Sequence, residues 1–92
     1  MLSVLNVQLK NYSRMNVSEQ EFKFMVECIT SDLIQLLMDR DQYTLPRAVE
    51  AVYSSNIYNA LLRPQSNMFY QSSGYVYSLL NDELNNRAVF HH

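Results

Sequence analysis

The sequence predicts an all-α fold, a small bundle of about four helices near residues 19–40, 45–54, 56–62 and 73–85, behind a short strand-like N-terminal arm. Three observations predict it. Ser18 and Glu21 stand in the S-x-x-E spacing of a capping box, in which each side chain satisfies an orphan backbone N–H of the other residue. Apolar residues then recur at three- and four-residue steps from Phe22 to Leu37, the signature of one buried helix face. Two later runs with the same period each begin at hydroxyl residues able to cap a helix, Thr44 and Ser72 or Ser73.

Residues 1–14 read differently. Leu5, Val7 and Leu9 alternate with Asn6, Gln8 and Lys10, a strand period over a very short span. A single strand is not stable alone. The plainer reading is a loosely held arm, or an extension ahead of a natural start at Met15. The sharper reading is a strand that pairs with a partner chain or with its own copy. Residues 15–87 form the helical domain, and the tail 88–92 is expected to fray, with His91 and His92 read as remnants of a purification tag.

In the first helix Phe22, Met25, Val26, Ile29, Leu33, Leu36 and Leu37 make the stripe, and Glu19, Lys23 and Glu27 form a solvated i, i+4 ladder opposite. Phe24, Cys28, Ile34 and Met38 widen the apolar surface past one stripe, so the helix is expected to contact neighbours on two sides. Thr44 caps the second helix with Pro46 in its first turn, where a missing N–H costs nothing. Ala48, Val49, Ala51, Val52 and Tyr53 are its expected inner face. Ser54-Ser55-Asn56 competes for backbone hydrogen bonds and predicts a break. Ile57, Tyr58, Leu61 and Leu62 belong to a short third helix that Pro64 stops. Residues 63–72 are the longest irregular connection. The last helix carries Tyr75, Val76, Leu79, Leu80 and Leu84 on one expected face, with Gly74 in its first turn. Leu33 and Leu80, each mid-stripe, are expected to be buried.

Composition limits the chemistry. The 92 residues hold two histidines, His91 and His92, one cysteine, Cys28, and one glycine, Gly74. Residues 1–90 therefore cannot build a Ser-His-Asp triad, a Cys-His pair, a His- or Cys-based zinc site or a glycine-rich nucleotide loop. The expectation is that the chain is not an enzyme and takes no cofactor or metal. A net charge of −2 gives no electrostatic pull toward nucleic acid or anionic lipid. The lone cysteine excludes an internal disulfide and fits a reducing cytoplasm, and it reads as a buried, inert thiol. There is no apolar run long enough for a membrane span, and residues 1–9 lack the pattern of a secretory signal. Glu27 and Asp32 diverge on their helix, and Asp39 and Asp41 flank Arg40 without calcium-loop spacing, so these acids read as a solvated face.

Seven tyrosines and four phenylalanines without tryptophan are the unusual feature. Tyr53, Tyr58, Phe69, Tyr70, Tyr75 and Tyr77 cluster around the connection 63–72. The expected partner-binding set is Phe69, Tyr70, Tyr58 and Tyr77, because tyrosine presents a rigid face with a polar tip. Tyr75, on the stripe, is expected to be structural. The competing reading is that all these rings seal the end of the bundle.

Three stretches carry a resemblance: Ala48-Val49-Glu50-x-Val52-Tyr53-x-Ser55, Tyr58 with Leu61, and Phe69-Tyr70-Gln71-Ser72-Ser73-x-Tyr75-Val76-Tyr77-x-Leu79-Leu80. Through them residues 20–84 resemble a group of short, uncharacterised bacterial all-helical proteins, a domain of unknown function. Some members resemble components of gene pairs whose neighbour looks like a toxin-type ADP-ribosyltransferase. The resemblance implies no catalytic residues. It implies a cytoplasmic protein-interaction module, the small binding partner of a neighbouring gene product or of its own copy. The alternative is a DNA-binding regulator of helix-turn-helix type over Thr44–Leu62. Charge weighs against it, because Arg47 and Arg63 are the only cations between Asp41 and Gln71 and phosphate contacts need several.

Overall fold

The chain enters its first helix through the capping box at Ser18. The Ser18 hydroxyl accepts from the Glu21 amide at 3.0 Å, and the Ser18 amide donates to Glu21 Oε1 at 2.9 Å. The computed structural model describes the backbone of residues 17–90 and the side chains of residues 17–87. The arm 1–14, with both its readings, and His91-His92 lie outside the described residues.

Helix α1 spans Glu19–Asp41, with Glu19 and Glu21 in its first turn and Arg40 in its last, as the helix dipole favours. Its buried stripe is Val26, Ile29, Leu33 and Leu37, joined by Thr30, whose hydroxyl is satisfied by the Val26 carbonyl at 2.7 Å. Gln42 turns the chain in the left-handed region at φ 64°. Thr44 caps α2, Leu45–Tyr53, accepting from the Arg47 amide at 3.4 Å. Ala48 and Val52 are fully buried, and the small alanine lets α2 lie close on α1.

The break at Ser54–Ser55 is as the sequence predicts, and its chemistry is specific. The buried Ser55 hydroxyl donates to the Val52 carbonyl at 2.6 Å and accepts from the Tyr58 amide at 2.9 Å. One side chain thus closes α2 and opens α3, Asn56–Leu61. The first two amides of α3 are taken by a carboxylate from elsewhere in the chain. Glu83 accepts from Asn56 at 2.8 Å and Ile57 at 3.1 Å.

Two 3-10 turns, Pro64–Ser66 and Met68–Tyr70, follow, joined at Asn67 with φ 63°. Helix α4 spans Ser73–Phe90. Ser72 caps it, accepting from Tyr75 at 3.2 Å, while the Ser73 hydroxyl ties its start to α1 by donating to Asp32 at 2.6 Å. α1 is the central element and packs against α2, α4 and the second 3-10 turn, while α4 also packs on α3. Leu33, Leu37, Leu61, Leu80, Val52 and Val76 are fully buried at the centre. No strand occurs among the described residues.

Four expectations are corrected here. α4 continues to Phe90 instead of ending at 85, because Arg87 bridges Glu83 at 2.9 Å and donates to the Ser54 carbonyl at 3.1 Å, pinning a turn expected to fray. Cys28 is exposed, since it lies on the side of α1 away from Ile29 and Leu33. Tyr53 leaves the inner face of α2, which narrows to Ala48 and Val52 with Val49 and Ala51 partly covered. Tyr75 is 51% exposed, because the inward face of α4 runs through Val76 and Leu80 and a neighbour one residue away points about 100° off.

Candidate interaction surface

The four aromatic residues expected to bind a partner do not form one surface. Phe69 is a core residue, 2% exposed, with its ring edge-on to Phe22 at 4.9 Å. It reaches the core because Asn67, in the left-handed region, folds the chain into a second tight turn. That turn is held by Ser66, whose hydroxyl reaches the Ala60 and Arg63 carbonyls and accepts from the Met68 amide. Phe69 thus cannot meet a partner without unfolding the turn. Tyr70, its neighbour, is 42% exposed and rests on the Phe69 ring at 4.5 Å.

Tyr77 lies on another side of the molecule and serves the packing of α1 on α4. Its hydroxyl donates to Asp41 at 2.7 Å, Asn81 donates to the same carboxylate oxygen at 3.1 Å, and Arg40 sits 5.7 Å from the ring centroid. Burial, with the Asp41 hydrogen bond next, pushes the Tyr77 hydroxyl above its ordinary value of 10.0. The hydroxyl therefore stays a donor through neutral pH.

Tyr58 faces a groove that the aromatic count did not reveal. Its half-buried ring meets Tyr53 edge-on at 4.8 Å, and both line an open groove of about 510 Å³ beside α1. Ile34, Met38 and Leu45 supply its apolar wall, and Glu27, Ser31 and Gln35 its polar one. A smaller hollow of about 140 Å³, bounded by Phe22, Lys23 and Leu62, adjoins it through Val26, Glu27 and Tyr58. Leu45 and Tyr53 are 54% and 51% exposed in the groove, and Leu62, in the smaller hollow, is exposed as well. Burial, then the neighbouring Tyr53 and Glu27, pushes the Tyr58 hydroxyl above 10.0, so it too remains protonated at neutral pH.

Of Phe24, Cys28, Ile34 and Met38, which widen the apolar surface of α1 in the sequence, Ile34 and Met38 line the groove, while Phe24 and Cys28 are exposed outside its lining. The sequence marks Leu62 only as part of the third helix's apolar run and Tyr53 both as inner face of the second helix and as one of the aromatic group, and it does not single out Leu45. Chemically the groove offers an apolar floor, two tyrosine rings and one carboxylate. Among the described residues no group of three or more His, Cys, Asp or Glu is arranged to hold a metal ion. No described helix is long and apolar enough to cross a membrane. Comparison with models of known protein families, with curated proteins and with solved structures gives no match for this chain.

Proposed function

We propose that this chain is a non-catalytic protein-interaction module that receives a segment of a partner protein in the groove beside α1. The observation that carries this reading is the grouping of Leu45, Tyr53 and Tyr58 with Ile34 and Met38 around one open groove. Exposed aromatic and aliphatic side chains converging on a concavity are the usual anchors of a protein contact. Tyr58 is carried over from the aromatic set read in the sequence, and Tyr70 is kept as a separate, smaller contact. The absence of histidine from residues 1–90 supports a non-enzymatic role. The proposed compartment is the cytoplasm, where the exposed thiol of Cys28 stays reduced. The resemblance to gene-pair components makes the product of an adjacent gene the first partner to test.

The test is a pull-down from the native cell at low and moderate salt, with the parent chain, the double variant Leu45→Ser/Tyr53→Ser, and Tyr70→Ala. A protein partner that survives moderate salt and is weakened at least about tenfold by the double variant supports the groove, since each anchor typically contributes more than 1 kcal/mol. Loss with Tyr70→Ala alone moves the interface to the turn. Recovery of DNA that salt releases would favour the helix-turn-helix alternative.

A further inference from the structure

We propose that the chain pairs with a second copy of itself through the outer face of α1 around Phe24, the two helices running in opposite directions. This surface lies beyond the groove proposed for a partner: it borders the smaller hollow and uses neither Leu45 nor Tyr53.

Phe24, at 65%, is the most exposed large apolar side chain among the described residues. Leu62 is 45% exposed at the hollow of about 140 Å³, which Lys23, Glu27 and Tyr58 also line. Neither Phe24 nor Leu62 belongs to the core. At about 100° per residue, the exposed row Lys23–Glu27 runs between that hollow and Phe24. One face thus carries apolar groups on either side of one cation and one carboxylate.

The order of the charges says what fits. Lys23 and Glu27 are one turn, about 6 Å, apart along the helix. Lys23 also has Glu19 one turn behind it, while the ion pair formed among the described residues is Arg87 with Glu83. A second α1 laid antiparallel, centred between Lys23 and Glu27, sets each lysine opposite the other copy's glutamate. Four charges then alternate in sign around a square, so each carboxylate keeps its own lysine as neighbour and gains another. Phe24, one residue from that midpoint, meets its own counterpart, and Glu19 falls level with the uncharged Ser31. A parallel copy would set lysine beside lysine and glutamate beside glutamate. The pattern is therefore complementary to itself in one direction only, as a two-fold contact uses the same patch twice.

Size sets the strength. A face about two helices wide, ~20 Å, and ~25 Å long covers roughly 500 Å² per copy. A total of roughly 1,000 Å² is at the lower limit for specific pairing, so Kd should lie in the micromolar range. Met38 lies about 17 Å beyond Glu27 along α1, so its end of the groove stays open and the pair presents two docking sites.

Sedimentation equilibrium of the full chain from about 1 µM to about 1 mM tests the pairing. The parent should pass from one chain mass to two across that range. Lys23→Glu and Glu27→Lys each oppose like charges twice, and each should weaken pairing at least about tenfold. Their equimolar mixture should pair again, because every glutamate then faces a lysine, and the double variant Lys23→Glu/Glu27→Lys should pair like the parent. Phe24→Ser should weaken pairing at least about tenfold, with circular dichroism showing an unchanged fold. A parent that stays monomeric at about 1 mM overturns the proposal, and so does a mixture of the two charge variants that stays monomeric. A parent dimer that charge reversal leaves intact but Leu45→Ser/Tyr53→Ser abolishes overturns it too. A monomeric parent leaves the groove to be judged by its own pull-down, which reads a different protein through Leu45 and Tyr53.

Discussion

Phe69→Ala should destabilise the domain more than almost any other single aromatic change, although the residue sits in a loop. Its ring is 2% exposed and lies between Phe22 at 4.9 Å and Tyr70 at 4.5 Å, so truncation leaves a cavity under the turn. Such a Phe→Ala change costs about 3–5 kcal/mol, a large part of the roughly 5–14 kcal/mol expected for a domain of this size. At about 4–8 °C per kcal/mol, the melting midpoint should fall by roughly 12–40 °C. Phe69→Leu, which leaves a smaller cavity, should fall between the parent and Phe69→Ala. Tyr70→Ala removes only an aromatic contact from a 42% exposed side chain, and its cost should stay near 0.5–1.5 kcal/mol. Thermal unfolding followed by circular dichroism on the three variants separates them. If Phe69→Ala melts with the parent, the ring is a surface group and the second tight turn is misplaced.

Three further outcomes are expected. Gln42→Gly should raise stability by about 0.5–1 kcal/mol in denaturant unfolding, because a side chain at φ 64° costs more than glycine there; a loss would mean the turn needs the Gln42 amide. Glu83→Ala should cost about 1.5–3 kcal/mol, since it leaves two α3 amides without their acceptor and Arg87 with only the Ser54 carbonyl, and hydrogen exchange should rise first at Asn56 and Ile57. Tyr77 has a folded pKa above its ordinary value, so its contribution is complete below pH 10 and declines as pH rises toward the folded pKa; Tyr77→Phe should flatten that alkaline decline, and an unchanged slope would refute the link.

The parts of the fold legible in the sequence are those decided within a few residues. Ser18, Thr44 and Ser72 act on amides three residues ahead, so their spacing alone locates three helix starts. The Ser54–Ser55 break is local in the same way. Leu33 and Leu80 are buried as their mid-stripe positions require. What the sequence could not settle depends on contacts between distant segments. The extension of α4 rests on Arg87 reaching Ser54, and the burial of Phe69 rests on a left-handed Asn67 that nothing in its neighbours dictates. Stripe width is the other blind spot. Periodicity shows that an apolar face exists, but Tyr53 and Tyr75 are next to buried residues in sequence and about 100° away around the helix.

The groove was half legible for a related reason. Phe24, Cys28, Ile34 and Met38 widen the apolar surface of α1, which the sequence can only assign to some neighbour, and of these Ile34 and Met38 line the groove. The structure separates the two sides by how their polar groups are satisfied. On the side packed against α4, Asp32 and Asp41 accept from Ser73, Tyr77 and Asn81. Facing the groove, Glu27 has no cation within ion-pair distance among the described residues, and Leu45 and Tyr53 keep about half their surface in water. An apolar surface left open costs roughly 25 cal/mol per Å² relative to burial. The two exposed anchors are not needed by the core, which is complete without them in Leu33, Leu37, Val52, Leu61, Val76 and Leu80. Side chains that the core does not use, gathered beside one carboxylate, are what the proposed docking would bury. That is why the groove, and not the loop with the most aromatic residues, is the surface on which function should be tested.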